Sequence, residues 1–211
     1  MTYRVLVLLS GSGTLFAALA EHLKGRDDIE IVAVGADREC AGLDRARDLG
    51  LPTFALPLAK GADRAVWDDE LTDRVAAHRP DLVVSAGFMK LLGAKFLAQF
   101  GGRTINTHPA LLPSFPGMHG ARDALAHGVK VTGATVFMVD DGVDTGQILA
   151  QGAVDVAATD TAESLHERIK VVERLLLCRT VDELAQAGAT APANPEPSNS
   201  DPSTAEGDNH E

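Results

Sequence analysis

Two hydrophobic rhythms alternate along most of this chain. Short apolar runs, often β-branched, fit buried strands, and between them apolar residues recur at helical spacing. Residues 4–9 form the first strand-like run, and residues 14–24 follow with Leu15, Leu19 and Leu23 on one helical face. The pattern predicts a second strand over 30–35, a second helix over 41–49 ended by Gly50, and a short third strand over 51–56. Residues 65–78 read as a helix stopped by Pro80, 82–85 as a strand, 93–100 as a helix and 104–107 as a strand. Strands alternating with helices in this way predict an α/β fold built on a doubly wound, mostly parallel, Rossmann-like sheet.

The rhythm changes after residue 109. Residues 110–117 hold two prolines and a glycine and read as a loop, and 121–127 as a short helix. Residues 131–139 and 147–156 are strand-like and joined by a connection rich in Gly and Asp, which predicts an antiparallel excursion. A final helix is expected over 161–185, with Thr161, Glu163 and Ser164 as its N-terminal signal. Residues 189–211 carry Glu196, Asp201, Glu206, Asp208 and Glu211 but no Lys, Arg, Leu, Ile, Val or aromatic residue. Such a segment buries too little apolar area to offset the entropy of ordering it, so a disordered acidic tail is expected after one folded domain over 1–188.

Composition narrows the function classes. The 211 residues are 45% hydrophobic, enough for one sizeable core. A formal net charge of -11 argues against a general nucleic-acid binder or a binder of acidic membrane surfaces. Cys40 and Cys178 stand far apart, which supports neither a zinc site nor a disulfide framework. The N-terminus enters a strand at once, without the apolar region of a secretory signal, and no apolar run is long enough to span a membrane. A cytoplasmic address is expected.

Candidate chemistry centres on Asn106-Thr107-His108-Pro109. Side chains at i and i+2 of an extended segment point the same way, so Asn106 and His108 can share a pocket while Thr107 faces away. A carboxamide and an imidazole at the C-terminal end of a strand suit an acyl-type reaction, one holding an oxyanion and the other moving a proton. The alternative is a satisfied polar pair at a strand end. Gly11, Ser12, Gly13 and Thr14 lead from the first strand into a helix, where small residues and free N–H groups suit a single phosphate better than a pyrophosphate. The alternative there is an ordinary tight turn. In Asp140-Asp141-Gly142-Val143-Asp144, Asp144 can orient His108 and favour its protonated form, where the bland reading is a solvated turn. Met89-Lys90-Leu91-Leu92 follows a strand end and can line a pocket or simply start a helix. Asp37 lies roughly where a ribose-binding acid belongs in dehydrogenases. No G-x-S-x-G elbow, zinc-protease helix or calcium loop is present.

Together, Ser10-Gly-Ser-Gly-Thr14, Ala86-Gly-Phe-Met-Lys90, Ile105-Asn-Thr-His-Pro-Ala-Leu-Leu-Pro113, Phe115-Pro-Gly117 and Asp144-Thr-Gly-Gln-Ile148 resemble the phosphoribosylglycinamide formyltransferase family. The likeness runs over about residues 3–185 and is highly specific for folate formyl transfer. It implies a Rossmann-like formyltransferase fold, 10-formyltetrahydrofolate as co-substrate, no metal, and formylation of the phosphoribosylglycinamide amine in purine (IMP) biosynthesis by a monomer or homodimer. Asn106, His108 and Asp144 match the family's catalytic trio. Gly11, Ser12, Gly13, Thr14, Leu15 and Glu173 match the ribonucleotide side. Arg64, Met89, Lys90, Leu91, Leu92, Asn106, Asp140, Asp141, Gly142, Val143 and Asp144 match the folate side. Two departures stand out: Leu15 replaces a common asparagine and can offer only its backbone, and Lys90 replaces a common arginine, losing the planar fork. Related formyltransferases that act on tRNA carry a further C-terminal domain, and formyltetrahydrofolate deformylases a further N-terminal one, so the chain's layout favours the ribonucleotide enzyme. Deformylase activity, a non-catalytic nucleotide-binding module and an NAD-linked dehydrogenase are the alternatives.

Overall fold

A computed structural model describes residues 2–188. The predicted acidic tail, 189–211, lies outside the described residues. The elements run β1 (Tyr3–Leu9), α1 (Thr14–His22), β2 (Ile29–Ala36), α2 (Ala41–Asp48), β3 (Thr53–Ala55), α3 (Arg64–Ala77), β4 (Leu82–Ser85), α4 (Ala94–Phe100), β5 (Thr104–His108), α5 (Gly120–His127), β6 (Val131–Met138), β7 (Ile148–Asp155) and α6 (Ala162–Gln186). They build one seven-stranded sheet in the order β3-β2-β1-β4-β5-β6-β7. The first five of these strands in that order are mutually parallel, and β6 runs antiparallel to both β5 and β7, an antiparallel excursion as the pattern predicts.

Alternation along each strand divides the core between the two faces of the sheet. Val5, Val7 and Leu9 of β1 pack with Phe16 and Leu19 of α1, Leu43 of α2 and Leu165, Ile169 and Leu177 of α6. Leu6 and Leu8, one residue out of step, pack with Trp67 and Leu71 of α3 and Phe96 and Phe100 of α4. Phe16, Phe96 and Phe100 are fully buried, and truncating a phenylalanine of this kind costs about 3–5 kcal/mol.

Differences from the expected boundaries have local causes. β3 is only three residues long; Pro52 and Pro57 flank it and cannot donate to a ladder. The 25-residue α6 starts where expected, because Thr161 and Ser164 cap each other's backbone N–H at 3.2 and 3.0 Å. Neighbouring β1 and β4 carry their connections in opposite directions, which opens a crevice beyond their C-terminal ends.

Candidate functional site

His108 closes β5 and is 3% exposed. Thr104, on the same strand side as Asn106 and His108, donates its hydroxyl to Phe100 of α4. Ile105, on the opposite side, packs in the layer with α6. Asn106 and His108 therefore share the α3–α4 side of the sheet, as their spacing predicts. Met138 pairs with Ile105, so the β6–β7 connection leaves the sheet well below His108. It then folds back to bring Asp144 Oδ2 to 3.4 Å from His108 Nδ1.

Backbone groups fix this pair. His108 Nε2 lies 2.7 Å from the Phe115 carbonyl oxygen. A carbonyl only accepts, so an Nε2–H donates there, and Nδ1 faces Asp144. The Gly117 N–H donates to Asp144 Oδ2 at 2.7 Å. Phe115 and Asp144 have φ values of 54° and 55°, a left-handed backbone uncommon for residues with a Cβ. One loop, 109–119, thus holds both partners. Sequence reasoning assigned no role to Phe115 or Gly117: they act through backbone atoms, and a Phe-Pro-Gly turn was the only available signal.

The glycine-rich turn joins β1 to α1. Gly13 is its N-cap in a left-handed conformation, and no side chain caps the helix. The N–H groups of Ser12, Gly13 and Thr14 have no partner among the described residues, so the turn presents free donors to an anion. Leu15 packs its side chain onto the core, leaving only its backbone on the turn.

The segment after β4 is gripped from both sides. Arg64, first in α3, donates to the Leu91 carbonyl and lies 4.7 Å over the Trp67 ring. The Gly93 N–H donates to Asp68 of α3 at 2.7 Å. The Met89 N–H donates to Ser10 Oγ at 2.8 Å, and Lys90 Nζ lies 3.6 Å from Asp37 Oδ2. Lys90 is thus anchored back onto the sheet rather than reaching freely outward. Asp37 is 3% exposed and also accepts from Arg38 at 2.7 and 3.1 Å. Burial works against its charge, but Arg38, Ser10 and Lys90 hold its carboxyl below the usual range. Its oxygens are engaged, which counts against a ribose-binding acid. Met89, Leu91, Met118 and Val143 remain exposed on the loops of this end, an apolar lining open to solvent.

Glu173 of α6 is 5% exposed. Burial pushes its carboxyl above the usual range, partly offset by the Thr107 hydroxyl, Lys170 and Arg174. Thr107 Oγ1 is buried without a partner of good hydrogen-bond geometry. Glu173 and Thr107 lie on the α6 side of β5, opposite Asn106 and His108. Asp140 braces its own loop, accepting from Gly142 N–H at 3.1 Å and Thr145 Oγ1 at 2.8 Å, while Asp141 is exposed. A separate cleft of about 680 Å³ lies under α1 and α2 and is lined by none of the predicted site residues.

Residues 3–181 match the formyl transferase family model. The chain is 55% identical over 187 residues to a phosphoribosylglycinamide formyltransferase of Mycobacterium tuberculosis (strain ATCC 25618 / H37Rv), covering 89% of this chain and 87% of that protein. It is 34% identical over 174 residues to the phosphoribosylglycinamide formyltransferase of Escherichia coli (strain K12), covering 82% of each. The crystal structure of glycinamide ribonucleotide transformylase 1 from Symbiobacterium toebii superposes with a TM-score of 0.85 at 39% identity, covering 88% of this chain and 89% of that one.

Proposed function

The chain belongs to the formyl transferase family, and on that premise we propose that it transfers a formyl group from 10-formyltetrahydrofolate to the amine of phosphoribosylglycinamide. The products are phosphoribosyl-N-formylglycinamide and tetrahydrofolate. The observation that carries the reading is the 3.4 Å approach of Asp144 to His108, with Asn106 on the same side of β5.

The chemistry follows from these groups. The neutral glycyl amine attacks the formyl carbon, forming a C–N bond and a tetrahedral centre that bears an oxyanion. The Asn106 carboxamide and the His108 Nδ1 proton stabilise that oxyanion; losing one such donor costs about 3–4 kcal/mol in comparable sites. Asp144 holds the protonated imidazole in place. The amine loses a proton as the bond to folate N10 breaks, and that proton passes by way of Asp144 and water to N10. Electrons and protons balance without a protein nucleophile. The ribonucleotide phosphate sits on the N–H groups of Ser12, Gly13, Thr14 and Leu15, and Glu173 accepts from its ribose hydroxyls. The pterin lies between residues 89–92 and the loop of Asp140, Asp141, Gly142 and Val143, whose exposed apolar side chains suit a flat ring. Arg64 and Lys90 support that wall. Cys40 and Cys178 are both free, which suits the cytoplasmic address we assign.

Thermal melts test the binding half of this reading. Phosphoribosylglycinamide and a non-hydrolysable formyl-folate analogue should each raise the melting temperature, and NAD should not. Stabilisation by NAD alone would overturn it.

A further inference from the structure

The phosphate turn does not hold its own shape. Gly42 N–H, in the first turn of α2, donates to the Gly11 carbonyl at 2.9 Å. Arg45 Nε, one turn further along the same face, donates to the Ser12 carbonyl at 3.1 Å. Packing reinforces the contact: a Cβ on Gly13 would meet Gly42 Cα at 2.7 Å, and one on Gly42 would meet the Gly11 oxygen at 2.9 Å. The turn and the helix touch glycine to glycine.

These two bonds set the direction of the donors. Both peptides are trans, since the only cis bond among the described residues is Leu112–Pro113. In a trans peptide the carbonyl and the following N–H point opposite ways. Tying the Gly11 carbonyl to α2 turns the Ser12 N–H away from α2. Tying the Ser12 carbonyl to Arg45 does the same for the Gly13 N–H. Both N–H groups thus turn away from α2, which follows β2, the strand that flanks β1 on the side opposite β4.

We propose that Arg45 is a positioning residue for the ribonucleotide phosphate, acting through its hydrogen bond to the Ser12 carbonyl rather than through contact with substrate. This rests on the phosphate reading of the turn. It also accounts for a turn that works with Leu15: the donors are backbone groups, and the side chain that orders them comes from another helix. Arg45 is exposed and has no carboxylate partner among the described residues, so among them its side chain is tied to the turn alone.

Two substitutions separate the hydrogen bond from the charge. In Arg45→Gln, the amide nitrogen follows Cδ as Nε does in arginine, which keeps a donor without the charge. Arg45→Met keeps the length and loses both. In the formyl-transfer assay, Arg45→Met should raise the ribonucleotide KM about tenfold, with kcat, the folate KM and the melting temperature near wild-type values. Arg45→Gln should stay within about twofold of wild type. Equal losses in both variants would assign the effect to charge and overturn the proposal, as would an unchanged KM in Arg45→Met or a joint fall in melting temperature and both affinities. Amide NMR titration with inorganic phosphate gives a readout independent of turnover: Ser12 and Gly13 should shift, with affinity about tenfold weaker in Arg45→Met. Phosphate binding there without formyl transfer would sink the proposed reaction and leave the brace standing. Equal phosphate affinity in wild type and Arg45→Met would sink the brace.

Discussion

The two ends of the crevice are built on different principles. At the β1–α1 turn the free groups are backbone N–H donors, and the turn is held by the neighbouring helix through two hydrogen bonds. At the end of β5 the groups brought together are side chains, and they meet only because two long connections fold back onto one strand. On the proposed reading, the first end is preorganised for a charge already present in the substrate, and the second for a charge that appears during reaction. Interactions of the first kind act equally on bound substrate and transition state and show in KM; those of the second kind show in kcat.

Substitutions can break or sharpen that division. The largest effect is expected for His108→Ala: kcat should fall about a hundredfold to a thousandfold, with ribonucleotide affinity by calorimetry within about twofold. Unchanged turnover would remove His108 from the chemistry. Asp144→Asn should lower kcat about tenfold to a hundredfold, because the imidazole loses its charged partner at 3.4 Å. Asparagine tolerates the left-handed backbone there, so the fold should survive; an unchanged kcat would break the coupling. Arg45→Met stands at the other end, with its effect confined to the ribonucleotide KM.

The smallest effect sharpens the comparison by setting binding against stability. Burial raises the Glu173 pKa above its unfolded value, so its contribution is fully present below the unfolded pKa and is lost as pH rises through the folded one. At neutral pH the buried carboxylate therefore weakens the fold. Glu173→Gln should raise the melting temperature at pH 7 and lose that advantage below about pH 4, while the ribonucleotide KM rises several-fold. A melting temperature that falls at pH 7 would contradict the cause given for the shift.

Much of this was legible because it is local. The strand and helix periods marked every element, and the i, i+2 spacing set Asn106 beside His108 and Thr107 opposite. Contacts that depend on strand order were not legible. Asp37 and Lys90 meet because β2, β1 and β4 lie in that order, and nothing in either neighbourhood announces the pair. The reach of Asp144 depends on a connection that reverses across the sheet, and its hold on His108 on backbone atoms of Phe115 and Gly117, which no residue type encodes. Arg45 was passed over for a related reason: on an exposed helix face an arginine looks like solvent-facing charge, and its target is a carbonyl of another segment.

Formyl transfer itself tests the account most directly. With 10-formyltetrahydrofolate supplied and tetrahydrofolate release followed by absorbance, turnover should require phosphoribosylglycinamide and yield one formylated ribonucleotide per folate released. Folate release at the same rate without the ribonucleotide, or no release with it, would contradict the account.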